Sequence, residues 1–233
     1  MSTYLVRPSA IRRFAESVRS PGVTPPTFAM AAVLPAMLEV LRVNGFGTST
    51  VVHRAQSLTL HRPIRIGDEL ASSARLREVR TVRGASTTRV EVDLHDADAA
   101  PVCSARATLL VDPPPTDPGP ETGPPEPVVR MSLRREDVER YAEASGHPAA
   151  LAQDLLVLGL ALSRLTELAS LTGFDAVFPH PVRVVGADPL LVHATGSGLS
   201  VHHRGRQAVS VTNLCWSWRS GPLVAARRGA EAG

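Results

Sequence analysis

The chain repeats itself across a proline-rich stretch. Ile11-Arg12-Arg13-Phe14-Ala15-Glu16-Ser17 corresponds to Val138-Glu139-Arg140-Tyr141-Ala142-Glu143-Ala144, an offset of 138 − 11 = 127. Carried forward without a gap, that offset sets Thr27 against Asp154 and lays the apolar helical stretch 28–41 over 155–168. Two helices of matching type, order and spacing point to a duplicated unit. Residues 113–127, PPPTDPGPETGPPEP, have no apolar periodicity, and polyproline stiffness makes them a semi-rigid spacer. The expected organisation is a unit at 1–112, a linker at 113–127 and a second unit at 128–233.

Within the first unit, residues 8–19 read as an amphipathic helix with Ile11, Phe14, Ala15 and Val18 on one face and Ser9 placed to cap it. A second helix, Thr27 to Val43, is apolar nearly all round, as in a helix wrapped by other structure, and Asn44-Gly45 stops it. Pro35 inside it removes one backbone hydrogen bond and is expected to kink it. Alternating runs then predict strands at 50–60, 69–82, 87–96 and 102–111. One buried helix followed by an antiparallel sheet is an α+β pattern. The second unit carries strand-like runs at about 177–186, 190–195, 199–204, 207–218 and 222–227.

Composition excludes several classes. The net charge is +3, but all 25 basic residues are arginines, scattered and often alternating with acids, which disfavours a nucleic-acid surface. Two cysteines, Cys103 and Cys215, give neither a disulfide framework nor a metal spacing. No signal-peptide pattern and no apolar run of spanning length is read, so a cytoplasmic protein without a membrane role is expected.

Val51 to Asp68, VVHRAQSLTLHRPIRIGD, supplies a specific motif. Its pattern, H-x-x-Q-x-x-x-x-H-R-P-[IL]-R-x-G-D, resembles the strand-and-turn signature of MaoC-like hot-dog proteins, in particular the non-catalytic first half of double hot-dog enoyl-thioester hydratases and dehydratases. The resemblance implies a double hot-dog, two curled antiparallel sheets each around a buried helix. It implies dehydration of (R)-3-hydroxyacyl chains or hydration of 2-enoyl chains, carried on coenzyme A or acyl carrier protein, without a metal or redox cofactor. A polyketide or fatty-acid biosynthetic setting follows from the same likeness.

The catalytic half of that family carries S-G-D-x-N-P-[IL]-H, then [IV]-A-H-G-M at the start of its buried helix. Here Ser145-Gly146-His147-Pro148 is followed by Leu151-Ala152-Gln153-Asp154. His147 stands in the place of the family's Asp, the family's His has no counterpart, Gln153 replaces the second His, and Asp154 replaces its Gly. His147 is either a base at the family's active-site lip or a loop histidine ending a helix. Asp154 is either a helix N-cap like Thr27 or the acid of a relocated dyad. Arg62, Arg65 and Arg183 are either contacts for a phosphopantetheine phosphate or a solvated charged face. His53 and Gln56 are expected at the interface between units, and His61 is read as structural.

Three readings follow. The first is a dehydratase with a rearranged site using His147, Asp154 and Gln153. The second is a non-catalytic hot-dog subunit of a heteromeric dehydratase. The third is a thioesterase using Gln153 or Asp154 near the start of the buried helix. An acyl carrier protein or coenzyme A thioester, and a hot-dog partner subunit or second copy, are the expected partners.

Overall fold

The computed structural model describes residues 2–20, 22, 24–47, 51–82, 84–113, 129–147, 149–165, 168–184, 186–195 and 198–216. The linker expected at 113–127 and the strand expected at 222–227 therefore fall, apart from Pro113, outside the described residues, as do Ser217 and Trp218.

Among the described residues ten strands form one antiparallel sheet. In chain order they are β1 (Ser2–Leu5), β2 (Val51–Leu60), β3 (Glu69–Val82), β4 (Ala85–His95), β5 (Pro101–Val111), β6 (Val129–Leu133), β7 (Leu171–Val177), β8 (Asp188–Thr195), β9 (Gly198–His203) and β10 (Arg206–Trp216). Their spatial order is β1-β3-β4-β5-β2-β7-β10-β9-β8-β6. Each unit contributes five strands, and the units meet where β2 pairs β7, from Ala55↔Val177 to Thr59↔Gly173. The edge strands β1 and β6 were not legible beforehand; four and five residues are too short for a period-2 pattern to stand out.

Helices α1 (Pro8–Ser17) and α3 (Arg135–Ser145) open the two units, and α2 (Met30–Val43) and α4 (Ala149–Leu162) are their buried helices. Ser9 is not the cap of α1. Arg7 occupies that position and Pro8 starts the helix, where its missing N–H costs nothing. A 3-10 turn, Pro26–Ala29, precedes α2, and Asn44 closes it with its side-chain amide donating to the Val40 carbonyl at 2.8 Å. In the second unit the helix expected at 155–168 instead spans 149–162, and the strand expected at 177–186 is β7, ending at Val177. Pro179 and Pro181 remove two donors directly after it, which favours loop over ladder.

The core is continuous across both units. Phe14, Phe28 and Tyr141 are buried, with ring centroids 5.4 Å apart for Phe14–Phe28 and 5.3 Å for Phe14–Tyr141. Arg19 bridges the units, donating to the Ser132 carbonyl at 2.9 Å and to Asp137 Oδ2 at 3.1 Å. Among the described residues one helical stretch, Pro26–Val43, is long and apolar enough to cross a membrane, and 67% of it is buried inside the fold.

Candidate active site at the seam between units

Gly146 ends α3 in the left-handed region at φ 71°, which turns the chain and drives His147 inward. The imidazole is only 4% exposed, and Nε2 donates to the Met30 carbonyl, 2.9 Å away at the start of α2. A carbonyl can only accept, so Nε2 carries the proton and Nδ1 is left as a buried lone pair without a partner. The Tyr141 ring meets it edge-on at 5.7 Å, and the buried Tyr141 hydroxyl is likewise unpartnered. Burial lowers the His147 pKa to about 4, with the Met30 bond acting weakly against it. His147 thus caps a carbonyl, but on the other unit's helix, and it does not face solvent.

His53 reaches the same region from β2. It is fully buried, its Nε2 lies 3.0 Å from Gln56 Oε1, and its ring stands 5.2 Å from Phe178. Gln56 Nε2 donates to the Ser57 carbonyl, which turns its oxygen toward His53. Burial lowers His53 to about 4; the Gln56 bond opposes this, and the charge of a protonated His147 adds to the lowering. His53 and Gln56 therefore lie at the joint between units, and His53 is electrostatically coupled to His147.

Asp154 is not an N-cap. It lies in the sixth position of α4, 3% exposed, and its Oδ1 accepts the Val182 N–H at 3.0 Å. Burial raises its pKa to about 7, opposed by that bond and by Arg54. The preceding Gln153 accepts the Val184 N–H at 3.1 Å through Oε1. Arg54 donates to the Phe178 and Pro179 carbonyls at 3.4 and 2.8 Å. Three side chains thus stitch the loop after β7 onto α4 and β2.

The predicted phosphate contacts do not converge here. Arg62 donates to both Asp68 oxygens, at 2.8 and 3.2 Å, and to Asp96 Oδ2 at 3.0 Å. Those bonds fasten the turn after β2 to the β4–β5 turn. Arg65 and Arg183 are exposed. His203 and Arg204 gather on Asp188, with Arg204 Nη2 2.9 Å from Oδ1, beside the Arg204-Gly205 hairpin turn.

A second equivalence emerges from this geometry. His61-Arg62-Pro63-Ile64-Arg65 matches Pro179-His180-Pro181-Val182-Arg183 at an offset of 181 − 63 = 118, after strands that pair with each other. The signal was present in the sequence as two P-x-R triplets but is too short to stand out alone. By the sequence offsets of 127 and 118, Thr24–Pro26, Leu60–Ile64 and Leu171–Thr172 correspond to Leu151–Gln153, Phe178–Val182 and His53–Arg54, with Leu171–Thr172 lent by the second unit as His53–Arg54 are by the first. Thr24–Pro26, Leu60–Ile64 and Leu171–Thr172 line an open cleft of about 240 Å³.

Comparison with known proteins agrees with this architecture. Residues 19–104 match the family model described as FAS1-like, dehydratase domain region. A UPF0336 protein of Clavibacter michiganensis is 31% identical over 127 residues, covering 46% of this chain and 85% of that protein. HtdX of Mycobacterium tuberculosis superposes over 91% of this chain and 97% of its own at a TM-score of 0.71, with 16% identity. A structure described as a MaoC-like dehydratase covers 91% and 96% at a TM-score of 0.68, with 16% identity. With ten antiparallel strands among the described residues, a buried helix in each unit and these relatives, the chain belongs with the UPF0336 proteins and has the double hot-dog fold of the MaoC-like structures.

Proposed function

We propose that this protein catalyses dehydration of 3-hydroxyacyl thioesters, or hydration of 2-enoyl thioesters, at the seam between its units. The carrier is acyl carrier protein or coenzyme A. What supports the reading is that two groups at the family's site positions are buried with opposite shifts: His147, lowered to about 4 with Nδ1 unpartnered, and Asp154, raised to about 7. In dehydration His147 Nδ1 takes the C2 proton. The C2–H electrons form the C2=C3 bond, the C3–O bond breaks, and the Asp154 carboxyl protonates the departing hydroxyl as water. Gln153 holds the loop at Val184 that closes the site.

The test is mass spectrometry of 3-hydroxyacyl and 2-enoyl chains on acyl carrier protein and on coenzyme A. Loss or gain of 18 Da (one water) is expected, falling by about 100-fold or more in His147→Ala and Asp154→Asn, the usual scale for a lost acid or base. A second reading, a non-catalytic hot-dog subunit, is favoured by one observation. His147, Gln153 and Asp154 each already hold a backbone partner. No turnover by the native chain, with stable co-purification of a hot-dog subunit, would replace the first reading with the second. Release of free acid would instead assign thioesterase chemistry to Gln153 and Asp154.

A further inference from the structure

The two pseudo-equivalent sites differ in one respect that the sequence explains. In the second unit, Gln153 and Asp154 fasten the loop after β7 through the Val184 and Val182 amides. At the sequence offset of 127, a register that the displaced α4 does not keep, the residues opposite them are Pro26 and Thr27, in the 3-10 turn ahead of α2. Proline has no polar side chain, and the buried Thr27 hydroxyl makes no hydrogen bond. The loop after β2 is therefore not stitched to the start of α2. It is tied away from it, by Arg62 to Asp68 and Asp96, and the cleft between them stays open.

The cleft has apolar walls from its prolines and from Leu60, Ile64 and Leu171, and its polar lining comes from Thr24, Thr172, Arg62 and His61. The Ser104 hydroxyl donates to Asp93 Oδ1 at 2.8 Å and has only one proton to give. His61 Nε2, 3.0 Å from Ser104 Oγ, must therefore be the donor in that contact. With Nε2 donating to Ser104 Oγ, the neutral form of the ring has its proton on Nε2 and its acceptor lone pair on Nδ1. Arg62 beside it has its charge answered by two carboxylates, so the polar lining that faces a ligand is His61 with the Thr24 and Thr172 side chains rather than an anion site.

We infer that this first-unit cleft is a second ligand site, which takes a short aliphatic chain bearing a hydroxyl and orients it by a hydrogen bond to His61 Nδ1. The inference rests on the thioester reading only for its probe. It does not require turnover at His147.

The experiment titrates the full chain with the N-acetylcysteamine thioester of 3-hydroxybutyrate and with its 3-methoxy analogue, following the imidazole ¹⁵N resonances. His61 is assigned by loss of its signals in His61→Phe. The hydroxy probe is expected to shift the His61 Nδ1 resonance saturably and to bind about tenfold tighter than the methoxy analogue, the scale of one hydrogen bond. Thr24→Trp, which fills the cleft from a loop without touching the core, should weaken binding at least tenfold. His61→Phe should retain binding of both probes but erase the preference between them. Unperturbed His61 resonances, equal affinity for the two probes in the native chain, or undiminished binding to Thr24→Trp would each overturn the proposal. Signals of His53 and His147 that match the native spectrum verify that each variant is folded. Failure of the dehydratase reading would show separately, as turnover that His147→Ala leaves unchanged.

Discussion

Asp154 and the histidines around it make stability depend on pH in opposed directions. The Asp154 pKa is raised from its ordinary 3.8 to about 7, so the folded state holds that proton more tightly than the unfolded chain. Its contribution is complete below 3.8 and is lost as pH rises to about 7, a swing of about 4 kcal/mol. His53 and His147 are lowered from 6.5 to about 4, so their contribution is present above 6.5 and is lost as pH falls to about 4. His202 and His203 are lowered too and add to that rising limb. Urea unfolding at successive pH values should show stability climbing from pH 4 to about 6.5 and dipping toward 7. Asp154→Asn, whose side-chain oxygen still accepts from Val182, should steepen the climb and abolish the dip; an unchanged profile would disprove the assignment. Arg62 makes a separate prediction. Removing a guanidinium that serves Asp68 and Asp96 leaves two part-buried carboxylates facing each other. Arg62→Ala should cost about 2–3 kcal/mol, and Arg62→Lys should recover little of it, because an ammonium cannot reproduce the planar fork.

Helix packing sets the next scale. A Cβ built on Gly159 would stand 2.7 Å from Val18 Cγ1 and 3.7 Å from Thr27 Oγ1, so α4 approaches the end of α1 closely because position 159 has no side chain. Gly159→Ala should destabilise by about 1–3 kcal/mol, despite alanine's better helix propensity. Pairing it with Val18→Ala should give a double variant more stable than the sum of the single effects, read from the same urea curves. Additive losses would show that the contact relaxes elsewhere. The same scale explains what was legible in the sequence. The four long strands of the first unit, β2 to β5, lie within two residues of where alternation placed them. The helix and first strand of the second unit were displaced. α4 begins five residues before Asp154, where the gapless offset of 127 expected the helix to start. The run from Phe178 to Val184 belongs to a loop held by side chains of α4 and β2. His147, Gln153 and Asp154 were identifiable by their positions in the family pattern. Their partners were not, because Met30 O, Val182 N and Val184 N are backbone atoms of remote segments that leave no residue-type signature.

At the scale of the whole molecule, the two units are one sheet because β2 and β7 share a ladder, and that ladder is also where both sites meet. His53 and Arg54 reach the second-unit site from β2, and Leu171 and Thr172 reach the first-unit cleft from β7. The proposed second-unit site and the first-unit cleft each take in a strand from the other unit. Gly173 is the close approach in this joint. A Cβ there would lie 2.9 Å from the Leu58 carbonyl oxygen, a backbone atom that cannot move without disturbing the Leu58↔Phe174 and Thr59↔Gly173 pairs. Gly186, by contrast, has nothing within 4 Å of its would-be Cβ and a φ outside the left-handed region. Gly173→Val should therefore loosen the joint while Gly186→Ala leaves it intact. The native chain is expected to unfold calorimetrically as a single cooperative transition, because the shared ladder and continuous core couple the units. Gly173→Val should split that transition into two, and the His53 and His61 ring resonances should shift together, since each unit then loses the strand it takes in from the other. A single transition at the native midpoint would mean that α1 and α3, through Phe14, Tyr141 and the Arg19–Asp137 pair, couple the units without the sheet.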